Sequence, residues 1–230
     1  GTSVRFDLTA YYKDVKDLVE VANIPAGPGA KTKNFASYRN RDFATVKGVD
    51  LGFTMRPINH IAASLNYSLS FAQGTGSVSN SQGNIAWVAD NPPKQTSPLD
   101  FDQRHKVSMN MDLRLGKGEG PRLGNFRLFE NAGINVLFNL ASGTPFTPTN
   151  VFNEVTLAAV PSLPSGPLNS RYGPWPSNFD LKASRGFQMG AFNLEAYAWI
   201  LNVFDSKNAI NVYTSSGAAN TTNWLTTNEG

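Results

Sequence analysis

Two histidines and a scatter of carboxylates are all that this chain offers for acid–base or metal chemistry. His105 stands nearest to acids, since Asp100, Asp102 and Arg104 precede it in the stretch LDFDQRH. A histidine beside a carboxylate is half of a hydrolytic site, because the acid can orient the imidazole that activates a nucleophile. The other half needs a serine exposed on a strained turn, and no G-x-S-x-G stands in the sequence. The cluster therefore reads as hydrogen bonding where a strand begins. His60 follows Pro57 and Asn59 between two alternating tracts and reads as a solvated turn residue. Two histidines without any cysteine give no metal-ligand cluster. The stretch GKGEGPRLG alternates Gly116, Gly118 and Gly120 in the manner of a phosphate loop. No G-K-[ST] follows it and no helix begins there, so it reads as a turn. No catalytic residue, metal site or cofactor is expected.

The remaining charges fall into two groups. Arg5, Asp7, Asp112, Arg114, Asp180 and Lys182 lie on the polar sides of alternating tracts, where they would line a passage or pair with one another. Arg39, Arg41, Trp87, Arg171, Tyr172 and Trp175 lie in polar, Gly/Pro-rich connections, which is where a surface ligand would be met. None of the six is singled out as a ligand-binding residue. The net charge is +3, and lysines and arginines are spread along the chain rather than clustered, which argues against a nucleic-acid surface.

The elements that must position these residues show a period of two. Val4, Phe6, Leu8, Ala10 and Tyr12 alternate with Ser3, Arg5, Asp7, Thr9 and Tyr11. Val49, Leu51, Phe53 and Met55 alternate with Gly48, Asp50, Gly52 and Thr54 within Val46–Arg56. In Ile61–Ala72 the alternation of Ile61, Ala63, Leu65, Tyr67, Leu69 and Phe71 with Ala62, Ser64, Asn66, Ser68, Ser70 and Ala72 is cleanest. Val107–Leu115, Ile134–Leu140 and Phe179–Ser184 repeat it, and a last tract, Phe192–Phe204, turns apolar on both sides toward its end. This is the signature of strands with unlike faces. No tract carries a capped helical period, so the fold class is all-β. A hydrophobic fraction of 40% and a mean hydropathy of −0.28 would suit a soluble protein, but spanning strands dilute their apolar residues by half.

Connections narrow the architecture. Pro57–His60 and Gln188–Ala191 are tight turns, whereas Lys13–Thr45, Gln73–Asp102 and Ser142–Ser177 are read as long loops, with Gly116–Asn131 intermediate. Loops beyond about 15 residues are unusual within a compact soluble domain. Following the chain up and down places the long loops at one end and the tight turns at the other, the pattern of a transmembrane barrel. Tyr11, Tyr12, Phe71 and Phe204, near tract ends, suit an interfacial aromatic girdle or, equally, the edge of a sandwich core.

Four stretches resemble TonB-dependent receptors. Tyr38, Asn40, Ala44, Lys47, Gly48 and Asp50 occupy the places of a Y.N...a..kG.E pattern, with Asp50 for the usual Glu. Asp102, Arg104 and His105 supply D.RH; Ser142, Gly143, Pro145 and Pro148 supply SG.P.tp; and Asn202, Val203, Phe204 and Asp205 resemble N-L-F-D/N. The spacing and the TPFTPT loop look closest to the Oar-like branch, whose members carry an N-terminal carboxypeptidase-regulatory-like domain. The resemblance implies an antiparallel up-and-down transmembrane β-barrel fragment of about seven to nine long strands, with short periplasmic turns and long extracellular loops. Residues 1–230 are then expected to be the C-terminal segment of such a barrel, without its plug domain and final strand. It further implies residence in the bacterial outer membrane and uptake of a scarce extracellular ligand. The partners would be outer-membrane lipid, the plug of the same receptor and the energy-transducing TonB protein. The alternatives are a surface adhesion barrel without transport and a soluble β-sandwich carbohydrate-binding module.

Three structural expectations follow. Val46–Arg56 pairs with Ile61–Ala72 as the tightest hairpin of a meander. Ile61, Leu65, Leu69, Val107, Met109 and Met111 stand bare on one face, while Ser64, Asn66, Asn110 and Asp112 point to the other. The edge strands near Val4 and Ala198 do not pair with each other.

Overall fold

The computed structural model describes residues 3–81, 94–124, 126–152 and 159–226. Seven long strands succeed one another: β1 (Val4–Pro25), β2 (Asn34–Ile58), β3 (Ile61–Gly74), β4 (His105–Arg114), β5 (Ala132–Ala141), β6 (Ser177–Met189) and β7 (Phe192–Ile200). They form one antiparallel sheet in chain order, β1 at one edge and β7 at the other. Val46–Arg56 and Ile61–Ala72 make the expected hairpin, with Phe53 opposite Leu65 and Leu51 opposite Tyr67. No helix among the described residues is long and apolar enough to cross a membrane, which says nothing of strands.

Because facing residues of neighbouring strands share a side, the register converts the alternation of each strand into rungs across the sheet. One rung runs Phe6, Phe53, Leu65, Met109, Phe138 and Phe179. The next on the other face runs Asp7, Gly52, Asn66, Ser108, Asn139 and Asn178. A slip of one residue in any pair would mix the two faces.

No second sheet covers the apolar rungs among the described residues. Phe6 is 78% exposed and Leu8 72%. Ile61, Leu65 and Met111 are exposed as expected, whereas Leu69, Val107 and Met109 are half-buried against neighbouring strands. Asn66 and Asn110, on the opposite face, are exposed as well, since a single layer leaves both sides open. The accessible surface of 15714 Å² compares with about 10,000 Å² for a compact monomer of this 24.9 kDa mass. A two-sheet sandwich would bury one face of every strand, so that alternative does not describe this chain. β1 and β7 do not pair with each other among the described residues.

The tight turns gather at one end. Asn59 and His60 adopt φ of 49° and 77° between β2 and β3, the doubly left-handed pattern of a type I′ hairpin. Gly190, at φ 62°, supplies the single positive φ needed at the first position of a type II′ turn between β6 and β7. His60 is not simply solvated, because its Nδ1 lies 3.3 Å from the Glu119 carboxylate in the β4–β5 connection. Two glycine N–H groups of that connection meet the protein's own carboxylates. Glu119 accepts from the Gly116 N–H at 2.5 Å and Glu130 from the Gly118 N–H at 2.6 Å, so protein carboxylates already fill the turn.

At the other end the structure differs from the sequence reading in three places. Lys13–Thr45 is not a loop: β1 runs 22 residues and β2 25, and the hairpin stays paired up to Pro25 and Asn34. The period of two is hidden there by a bulge, since Asp17 takes φ 58° and the register shifts on both sides of Leu18. The last tract ends at Ile200 rather than Phe204. Asn202 (φ 50°) turns the chain, accepting from the Ser206 N–H at 2.9 Å and donating to the Ser206 carbonyl at 3.2 Å. An Asn side chain that satisfies backbone groups locally competes with the strand ladder. Finally, Tyr11 keeps the polar side that the alternation gives it, so it does not stand with Tyr12 and Phe71 in an aromatic girdle. Its ring lies over Gly48 on the polar face, in the space that a Cβ at Gly48 would need.

Candidate functional site

The loop-bearing end holds almost every fully buried side chain described. Ala44, Ala72 and Leu99 form its small apolar centre, with Leu18 and Val46 packed against them. Around this centre the buried groups are polar, and they make two networks.

Asp102, 2% exposed, is the hub of the first. Its Oδ1 accepts from the Ala72 N–H at 2.8 Å and its Oδ2 from the Tyr172 hydroxyl at 2.6 Å. Arg104 adds charge, with Nε 3.5 Å from Asp102 Oδ2 and its guanidinium stacked over Phe71 (5.3 Å) and Tyr172 (4.6 Å). Burial and the negative charge of Asp102 push the Tyr172 hydroxyl up to about 12, so it stays a donor. Asn169 ties a second loop in, donating to the Pro98 carbonyl at 2.8 Å and to Asp100 at 2.7 Å.

His105 is not a partner of Asp102. Its Nδ1 meets the Tyr67 hydroxyl at 2.9 Å and its ring stacks on Trp175 at 5.6 Å. Ser142, the nearby hydroxyl, accepts instead from the main-chain N–H of His105 at 3.1 Å. The parts of a hydrolytic relay are thus committed to other contacts, and the cluster joins β3 and β4 to the loop between β5 and β6. Gly143 belongs to the same joint, since a Cβ there would run into the backbone of Gly173.

The second network secures the β1–β2 hairpin. Glu20 and Asp42, 3% and 2% exposed, share Lys94, which forms ion pairs with both and donates to Asp42 at 2.6 Å. Arg41 approaches Glu20 at 3.5 Å, and the Thr75 hydroxyl donates to Asp42 at 2.8 Å. Two carboxylates out of water persist only when charge and hydrogen bonds meet them.

Of the connection residues named from sequence, Tyr172 enters the first network, Trp175 stacks on His105 beside it, and Arg41 enters the second. Arg39 faces Glu20 across the ladder, and Arg171 pairs with Phe146 in a short strand. Trp87 lies outside the described residues. The polar-face charges mostly pair at spacing two: Arg5 with Asp7 and Arg114 with Asp112, both at 2.7 Å. Asp180 accepts from the Asn202 N–H and from Asn178, each at 2.8 Å, and Lys182 lies over Tyr197. Sequence reasoning missed Glu20, Asp42, Lys94 and Asn169, whose partners are too distant along the chain to leave a local pattern.

Below the rim, on the polar face, a recess of about 370 Å³ is lined by Asn66, Ser68, Lys106, Ser108, Asn139 and Asn178. It adjoins another of about 520 Å³ that includes Tyr11, Lys13, Asp50 and Asp102. Amides, hydroxyls, two lysines and two carboxylates there suit the binding of a polar molecule.

No curated protein and no solved structure matches the chain. The family profile described as TonB dependent receptor-like, beta-barrel matches residues 1–203. That span takes in all seven strands, their rungs and both rim networks. The chain belongs to the TonB-dependent receptor-like β-barrel family, a family of outer-membrane receptors and transporters.

Proposed function

We propose that this chain is the C-terminal segment of the barrel wall of an outer-membrane receptor that imports a scarce ligand with energy delivered by TonB. The observation that carries this reading is the set of rungs: an apolar face without protein cover among the described residues, backed by a polar face. In a bilayer the first face meets lipid and the second lines the lumen. The apolar alternation of β1 covers Val4–Tyr12, the length of roughly 9–11 residues that a tilted spanning strand needs. The rest of β1 and β2 then projects beyond the membrane as a paired hairpin. The edges of β1 and β7, unpaired among the described residues, support a larger barrel whose other strands, plug and closing strand come from elsewhere in the receptor. The chain does no covalent chemistry in this reading. The polar recess and the two rim networks are where ligand would pass.

Epistasis tests it. A strain deleted for the full-length gene should lose growth on one limiting nutrient. A strain lacking TonB should share the defect, and the double deletion should be no worse. A defect confined to surface attachment, with the TonB-deficient strain normal, would replace transport by adhesion.

A further inference from the structure

Two cations interrupt the apolar face, Arg185 toward the tight turns and Lys47 toward the loops. Lys47 is the cross-strand partner of Tyr12 on one side and of Phe71 on the other, so an aromatic ring flanks it on each neighbouring strand. It is exposed and makes no ion pair among the described residues. The rung nearer the tight turns (Ala10, Val49 and Leu69) is wholly apolar, and the rung beyond it (Asp14, Thr45 and Gln73) is polar. Lys47 therefore stands on the last rung before the face changes character.

Arg104 reaches the same place from the β3–β4 connection, its guanidinium centred 5.3 Å over the ring of Phe71. Its Nε lies 3.5 Å from Asp102 Oδ2 as an ion pair without a hydrogen bond, and its terminal nitrogens donate to no described residue. The nearest acid on this face, Asp14, is paired with Lys16 at 3.4 Å. Two cations thus neighbour Phe71: Lys47 opposite it in the ladder, and Arg104 over its ring and ion-paired with a buried carboxylate.

We propose that Lys47 and Arg104 hold the phosphate of a lipid headgroup at the outer boundary of the membrane. This rests on the reading that the apolar face meets lipid. A lysine facing lipid at mid-depth costs about 2–4 kcal/mol, a cost that falls to about 0–1 near the interface. The position of Lys47 at the end of the apolar rungs, between two aromatic rings, is where that cost is least and anionic headgroups lie. The lysine stem covers apolar surface while its ammonium reaches the headgroup. The guanidinium fork, steadied by Asp102 and two rings, matches phosphate oxygens.

The full-length receptor, reconstituted in nanodiscs of a phosphate-free glycolipid doped with lipid A, supplies the test. Native mass spectrometry after mild delipidation should show lipid A retained by the wild type. Lys47→Gln and Arg104→Gln should each weaken retention about tenfold, the loss of one charge-assisted bond. Lys117→Gln, in the β4–β5 connection at the opposite end of the sheet, should leave it unchanged, and lipid A stripped of its phosphates should not be retained. Should Arg104→Gln disturb the rim, Lys47→Gln decides alone. Equal retention by Lys47→Gln, or of dephosphorylated lipid, overturns the proposal. A nitroxide at Leu65 separates the two levels: a label in contact with lipid alongside an inert Lys47→Gln sinks only the phosphate site. A label shielded from lipid sinks the barrel reading and this proposal together.

Discussion

In the strand region Phe6 is 78% and Leu8 72% exposed, whereas Glu20, Asp42 and Asp102 at the loop-bearing end are each 3% exposed or less. A soluble protein places these residue types the other way round. The difference shows which medium each region is made for. The sheet has backbone ladders but hardly any side-chain core: Val136 is the one fully buried apolar residue described away from the loop end. Its apolar rungs are stabilised only when something other than water covers them. The loop end is closed by its own carboxylates, amides and rings, and so keeps its shape in water.

That contrast can be broken first at the rim. Asp102→Ala strands the Ala72 N–H, the Tyr172 hydroxyl and Arg104 at once, and should cost about 3–5 kcal/mol, as removal of one partner of a buried ion pair does. Because the rim is held locally, the loss should be local, read as faster tryptic cutting after Arg171 in the folded receptor. Unchanged cutting would mean that Asp102 is not the hub.

The sheet should respond by face instead. Leu65→Arg should destabilise the reconstituted receptor by about 2–4 kcal/mol, while Asn66→Arg, one residue along, should cost about 1 kcal/mol or less. Urea unfolding from lipid vesicles measures both. Equal effects would remove the distinction between the faces.

Tyr172→Phe sharpens the account of the rim. Loss of a hydrogen bond to a charged acceptor should cost about 1.5–3 kcal/mol near neutrality. The folded state raises the Tyr172 pKa from 10.0 to about 12, so it holds the proton more tightly than the unfolded chain. The stabilisation is therefore fully present below pH 10.0 and is lost as pH rises through about 12. The tryptic rates of wild type and Tyr172→Phe should converge over that window, and a constant gap would contradict the assignment.

The smallest effect belongs to the exposed polar-face pairs. Arg5→Ala should change unfolding free energy by about 0.2–1 kcal/mol, because the Arg5–Asp7 pair is solvated and screened. A larger loss would show that the polar face is drier than this arrangement implies.

Much of the sheet was legible in the sequence because period two is a local signal. The rungs of β2, β3, β4 and β5 are visible as alternation, and Asn59 and His60 mark their turn. Asp17 shows how the signal fails: one residue at φ 58° shifts the phase, and the outer half of the β1–β2 hairpin reads as loop. The rim was legible only in part. Asp102, Arg104 and His105 stand together in the chain, but the apparent His–carboxylate pair is not formed, since Tyr67 and Trp175 take the imidazole. Lys94 meets Glu20 and Asp42 across separations of 74 and 52 residues, which no spacing rule announces.

The central claim is that one face of this sheet is built for lipid and the other for a lumen. The chain lacks cysteine, which suits a nitroxide scan of β3 from Ile61 to Phe71 in the full-length receptor, any other cysteines removed, reconstituted in bilayers. Collision rates with oxygen, which partitions into lipid, and with a water-soluble nickel chelate should alternate in opposite phase with a period of two. Oxygen should win at Ile61, Ala63, Leu65, Tyr67 and Leu69, and nickel at Ala62, Ser64, Asn66 and Ser68. An aperiodic scan, or one with the phases reversed, would contradict the account.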